Sequence, residues 1–395
     1  MCQCFFSGCI FMPTVAKIYC YGGVVVMDEE QLFISLDLSQ SRTIDEIQDG
    51  WETVNKNVGE NSNFAMVAVP NQNLIYANGG RVGFRAPPLY QSVMFNNIGS
   101  NNEEWVEVSP RGSGVLVKGL YILLLMTTLI TVILVTTGTN NICTLLLRSV
   151  TLESDLSSRM YILDLKNKES PWKIGASAEG GTLLYHDHAS VLVGASIYYI
   201  GGSSINSTGT DVQHIPMDSV RIFDTNSGEW TIRPIGGSLI PSRRKPSTGE
   251  ILVFGGIVYD IFENTDVAYI LNTQGGLLSW SSIRIQPATP NYFDSQTIYG
   301  HSAVLAGPYL YILFGYLSND ITLVERGRQT DKIWVMDINQ WAWISSVDAI
   351  KPELEPINTP DQASESIKDA RISGHIITGA TIGGTIGFAA LLTGA

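Results

Sequence analysis

The sequence predicts an all-β chain folded as about six four-stranded sheets set in a ring, and three observations carry that expectation. A short apolar run ending in Gly-Gly recurs along the chain, and a tryptophan follows each copy at a nearly constant distance. Between residues 14 and 347 no apolar stripe with a helical period is visible. A single four-stranded sheet cannot bury both its faces, so repeated copies must cover one another.

The strand that ends in glycine is Lys17–Gly23, Leu74–Gly80, Ile197–Gly202 and Ile251–Gly256, with a degraded copy at Leu310–Gly315. The pairs are Gly22-Gly23, Gly79-Gly80, Gly201-Gly202 and Gly255-Gly256, with Gly315 alone in the last. Glycine is expected there because it allows a tight positive-φ exit and close approach of a neighbouring backbone. A strand ending in Asp follows, as in Leu36-Asp37, Phe223-Asp224 and Met336-Asp337. The unit closes on Trp51, Trp105, Trp230, Trp280 or Trp341, at 28, 25, 28, 24 and 26 residues after the last glycine. A sixth unit shows only its second half, Met160–Leu165 followed by Trp172. Each Trp reads as an apolar plug that one sheet buries against the next.

This pattern resembles the kelch motif, whose period is about 50 residues. The steps between successive tryptophans are 54, 67, 58, 50 and 61 residues. The strand before Gly-Gly is also similar to kelch, as in Gly300–Leu305 and His188–Leu192. The resemblance implies a kelch-type β-propeller of about six four-stranded blades over 14–347. Spacing and tail are most similar to the kelch proteins of fungal cell surfaces and to attractin- or galactose-oxidase-type propellers.

The stretch 114–135 is apolar apart from Lys118 and long enough to span a bilayer. It falls, however, where the third unit (110–172) needs its first two strands, and Val115–Leu125 aligns with Val191–Ile200. It reads as an irregular unit with a long apolar insertion, with a faulty gene model as the standing alternative.

Composition narrows the function classes. The chain has 395 residues, with 24 Lys+Arg against 37 Asp+Glu, a formal net charge of −13 and only 15% charged residues. Disorder is excluded by 45% hydrophobic residues. An acidic chain without a basic cluster is expected to bind no nucleic acid. Five cysteines, Cys2, Cys4, Cys9, Cys20 and Cys143, lack zinc-ligand spacing. Met1–Pro13 has no basic flank, so the start is either an atypical secretory signal or not the native start. Cys9 and Cys20 fall on adjacent antiparallel strands around a turn at Pro13–Ala16, within disulfide reach; two buried thiols are the alternative.

Chemistry-bearing candidates are few. His186-Asp187-His188 is the sharpest metal-like cluster, since residues two apart on a strand share a face. His188 shares its repeat position with His301, which makes a structural role the stronger reading. Arg243-Arg244 could hold a carboxylate or phosphate. The oxidase resemblance would require a copper set of His, Tyr and Cys, and five histidines do not assemble one. No cofactor is expected. Asn206-Ser207-Thr208 is a glycosylation sequon in a loop after Gly201-Gly202. The expected function is therefore non-catalytic binding of a protein or glycan through loops after each Gly-Gly: 28–31, 81–89, 203–217, 257–265 and 318–331. A secreted galactose-oxidase-like or other propeller enzyme and an intracellular kelch scaffold are the alternatives.

After Trp343 the repeat stops, and 348–371 reads as an acidic linker. Ile372–Ala395 carries no Asp, Glu, Lys or Arg, and Gly379, Gly383 and Gly387 recur at four-residue spacing. The expectation is a single transmembrane helix over 372–395, with the propeller extracellular or lumenal.

Overall fold

The computed structural model describes residues 4–5, 8–22, 24–25, 33–55, 64–78, 92–100, 103–107, 131–137, 140–146, 159–164, 172–177, 184–186, 188–193, 195–205, 212–237, 243–244, 251–258, 268–273, 276–287, 297–318, 328–353 and 381–382. These residues are mostly β-strand, with almost no helix. The first unit contains β1 (Cys4–Phe5), β2 (Gly8–Met12), β3 (Lys17–Tyr21), β4 (Val24–Val25), β5 (Phe33–Asp37), β6 (Arg42–Thr43), helix α1 (Ile44–Gln48) and β7 (Trp51–Asn55). Its main sheet runs β2-β3-β5-β7, antiparallel throughout. The second unit is β8 (Ala65–Val69), β9 (Leu74–Asn78), β10 (Ser92–Asn96) and β11 (Glu104–Glu107), in sequential order. The third is β12 (Thr131–Thr137), β13 (Asn140–Leu146), β14 (Arg159–Asp164) and β15 (Trp172–Ser177), also sequential.

The fourth unit holds β16 (Leu184–His186), β17 (Ala189–Val193), β18 (Ser196–Ile200), β19 (Ser203–Ile205), β20 (Val212–His214), β21 (Ser219–Asp224) and β22 (Trp230–Gly237). The fifth holds β23 (Arg243–Arg244), β24 (Leu252–Phe254), β25 (Ile257–Val258), β26 (Ala268–Asn272) and β27 (Leu278–Ile283). The sixth holds β28 (Thr297–Tyr299), β29 (Ser302–Ala306), β30 (Tyr309–Leu313), β31 (Tyr316–Ser318), β32 (Arg328–Gln329), β33 (Ile333–Asp337) and β34 (Ala342–Trp343). Two short strands follow, β35 (Ser346–Val347) and β36 (Thr381–Ile382). The fourth and fifth units fuse into one curled seven-stranded sheet, β17-β18-β21-β22-β27-β26-β24. The join is a parallel pairing of Ile235–Gly237 in β22 with Leu278–Trp280 in β27.

Side-chain alternation explains why neighbouring sheets stack. From β2 and β3, Cys9, Phe11, Ile18 and Cys20 face the sixth unit, packing with Val304, Tyr311 and Val335. Ile10, Met12, Tyr19 and Tyr21 point the other way, onto Phe64, Met66 and Phe95 of the second unit. Period-two strands with both faces apolar thus bury two cores at once. Leu252 and Phe254 pack on Leu310, Ile312 and Trp343 of the sixth unit, and Val253 packs on Tyr198 and Ile222 of the fourth. The first strands lie side by side: β29 against β2, β2 against β8, β8 against β12 and β12 against β17.

Several sequence expectations are corrected. In the third unit the first two strands are Thr131–Thr137 and Asn140–Leu146, downstream of the alignment at Val115–Leu125. Residues 131–135 of the bilayer-length stretch are therefore strand; 114–130 lie outside the described residues. The largely β-branched run Thr131–Val135 suits a pleated sheet. A helical turn, α1, stands where none was expected; Thr43 and Glu46 close a reciprocal capping box at its start. Trp341, expected as the plug of the last unit, lies in a turn at φ +50°. Trp343 occupies the plug position instead, paired with Met336 as Trp51 pairs with Leu36 and Trp230 with Phe223.

The expected linker also starts late. Ile350 N–H donates to the Leu38 carbonyl at 2.8 Å and Glu353 N–H to the Pro13 carbonyl at 3.0 Å, so 348–353 are stitched to the first unit. Within 372–395 the described residues are Thr381 and Ile382, which form β36 on the edge of β8; the rest of the expected helix lies outside the described residues. Both are β-branched, which favours a strand, and an open sheet edge supplies the backbone partners. No helix among the described residues is long and apolar enough to cross a membrane.

Candidate interaction face

Past the Gly-Gly step the strands change direction and continue. Gly201 and Gly202 sit at φ +62° and +87°, Gly255 and Gly256 at +63° and +91°, and Gly315 at +97°. That region is closed to most side chains, which is why glycine recurs there. Space demands it too. A Cβ on Gly315 would lie 2.9 Å from the His301 backbone nitrogen and the Tyr299 carbonyl oxygen, and one on Gly255 would lie 2.5 Å from the Ile298 carbonyl oxygen. Gly256 N–H donates to that same Ile298 carbonyl at 2.9 Å, tying the fifth unit to the sixth.

Beyond the step lies a second tier of small sheets. They are β16-β19-β20 in the fourth unit, β23-β25 in the fifth, β28-β31-β32 in the sixth and β1-β4 in the first. Because every tier continues strands through the glycine end, all four belong to the same end of their units. The expected binding loops 203–217, 257–265 and 318–331 thus begin as strands β19, β25 and β31. Loops 28–31 and 81–89 lie outside the described residues, as do Gly23, Gly79, Gly80, Asp187 and Asn206.

The small sheets carry polar groups in the fourth unit and aromatic groups in the sixth. Ser203 lies between His186 and His214 in register across three strands. The Ser203 hydroxyl and His214 Nδ1 are 3.2 Å apart. Ser203 is only 1% exposed, so it is no accessible nucleophile, whereas Gln213 and His214 are exposed. Tyr299 and Tyr316 stack across β28 and β31 with centroids 5.4 Å apart and rings 12° from parallel. Burial, with Tyr299 alongside, pushes the half-buried Tyr316 hydroxyl up to about 12.

Below the tier, His188 and His301 are both buried, each against an aromatic ring: His188 edge-on to Tyr199 at 5.2 Å, His301 to Phe254 at 5.7 Å. Burial holds the His301 imidazole neutral, its pKa lowered to about 3. The structure therefore places His188 in the core and does not bring it to the tier with His186, whose side chain lies outside the description, as does that of Trp172. Among the described residues no group of three or more His, Cys, Asp or Glu could hold a metal. Arg243-Arg244 form β23, paired with Ile257-Val258. Cys9 and Cys20 face each other across β2 and β3, joined by a disulfide with Cα atoms 4.1 Å apart. Trp105 packs on Tyr21, Phe33 and Phe95, Trp230 on Tyr199 and Phe223, and Trp280 Nε1 donates to the Met217 carbonyl at 2.7 Å. The Ser203–His214 and Tyr299–Tyr316 pairs were not visible in the sequence, because both depend on cross-strand register. No protein-family model and no curated protein matches this chain.

Proposed function

We propose that the six units are the blades of a kelch-type β-propeller acting as a non-catalytic binding module, which presents its Gly-Gly face to a protein or glycan on the exported side of a membrane. The observation that supports it best is the second tier, which raises Gln213, His214 and the Tyr299–Tyr316 stack beyond the glycine step on one face. Aromatic rings and exposed polar side chains on one face suit recognition of sugar rings and of peptides alike. The Cys9–Cys20 disulfide supports an oxidising compartment. In this reading Thr381–Ile382, which pair with β8, belong to the ring.

The test is capture of glycans from an array and of proteins from a cell-surface extract by the full-length chain. Gln213→Ala with His214→Ala should weaken capture at least tenfold. Asn226→Ala with Ser227→Ala, in the turn at the opposite end of the same unit, should leave it unchanged. Equal loss from both pairs, or stoichiometric copper or iron in the purified protein, would overturn the reading.

A further inference from the structure

β2 and β29 each stand at the end of their sheet order, and in the second sheet only β36 lies outside β8, so each of the three turns one edge away from the other strands of its own unit. Such an edge carries a row of backbone donors and acceptors and is a template for another strand. At β8 that strand is present: Thr381 pairs with Met66 and Ile382 with Ala65, antiparallel. β36 also lies against β2 and β29, so it sits where three first strands converge.

Direction adds a second constraint. Ala65 pairs with Asn78, the residue before Gly79-Gly80, so β36 runs toward the Gly-Gly end of β8. The chain is last held at the other end, where Glu353 donates to Pro13 in the turn between β2 and β3. Residues 354–380 amply cover that distance at about 3.3 Å each. Composition agrees as well. Six glycines in 372–395 disfavour a helix, whereas Thr381 and Ile382 favour a strand.

We infer that the edge of β8 facing away from β9 is a strand-acceptor site, and that Thr381–Ile382 are its ligand, docked in cis between β2, β8 and β29. The site takes an extended, β-branched peptide through main-chain hydrogen bonds. It stands independently of which partner the Gly-Gly face binds.

Disulfide trapping in the full-length chain tests it, with Cys2, Cys4 and Cys143 changed to Ser. Directly opposed antiparallel residues lie within disulfide reach. Ala65→Cys with Ile382→Cys should therefore cross-link at least tenfold more than Val69→Cys with Ile382→Cys, whose Cα atoms lie about 13 Å apart along the strand. Hydrogen exchange of the unmodified protein gives a second readout that needs no variant to fold. Amides within 376–388 should exchange at least a hundredfold more slowly than unfolded chain. Equal cross-linking by both pairs, or exchange at the unfolded rate, overturns the proposal. So does recovery of the segment in a carbonate-resistant membrane pellet without the Ala65 cross-link.

Discussion

His301 is held between the glycine steps of two units, with its ring against Phe254 and its Cε1 3.0 Å from where a Gly255 Cβ would stand. Burial keeps the imidazole neutral down to about pH 3 in the folded chain. The unfolded chain takes up that proton near pH 6.5. Between those values the unfolded state binds one more proton, so stability is complete above about pH 6.5 and falls as pH falls. The expected result is a denaturation midpoint that drops from pH 6.5 to 5, with a shallower drop in His301→Gln; an identical slope in both would refute the assignment. The window stops at pH 5 because Asp224, lowered by the Ser227 amide, and Asp37 add their own acid sensitivity further down. Asp37 is raised by burial but lowered on balance by Ser39, Lys17 and Arg42. The structural role of His188 and His301 was legible from their shared repeat position. The choice between Trp341 and Trp343 was not. Two tryptophans two residues apart satisfy the same interval, and only the pairing of Trp343 with Met336 separates them.

At the level of elements, the recurrent Asp explains itself as a turn former. Asp37 accepts from Ser39 N–H, Asp224 from Asn226 and Ser227, and Asp337 from Asn339 and Gln340, each closing the chain toward the last strand of its unit. The spacing of Asp and Trp was therefore readable before the structure. Helix α1 was not, since five residues are too few to show a period, although Thr43-Ile-Asp-Glu46 spells its capping box. That short helix has a definite task. Gln48 at its end donates Nε2 to the Asp331 carbonyl at 2.7 Å and accepts from Ile333 N–H at 2.8 Å, joining the first unit to the last. Gln48→Ala removes both bonds and leaves a half-buried carbonyl and amide short of a partner, which should cost about 1 to 3 kcal/mol. Urea denaturation measures it; a loss below about 0.5 kcal/mol would show that solvent replaces the side chain.

Across the whole molecule, the ends of the repeat meet. β2 lies beside β29, Val347 of β35 pairs with Arg42, Ile44 N–H donates to Ser345, and one apolar core is shared between the first and sixth units. The sequence implied a ring but not this closure, because 344–353 has no strand pattern and its amides divide their partners between the two ends: Ile344 and Asp348 donate to Val335 and Tyr309 of the sixth unit, Ala349, Ile350 and Glu353 to Ser41, Leu38 and Pro13 of the first. Nor did it imply the parallel β22–β27 join, which depends on two outer strands meeting in space. A shared core has a consequence for cooperativity. Val335 is fully buried in the sixth unit and belongs to the same cluster as Cys9, Ile18 and Leu36 of the first. Val335→Ala leaves a cavity worth about 2 to 3 kcal/mol. If closure couples the ends, hydrogen exchange should lose protection equally in β30–β33 and in β2–β5, although no residue of the first unit has changed. Loss confined to β30–β33 would mean that the first unit opens independently and the contacts across the seam do not bind the two ends into one cooperative body.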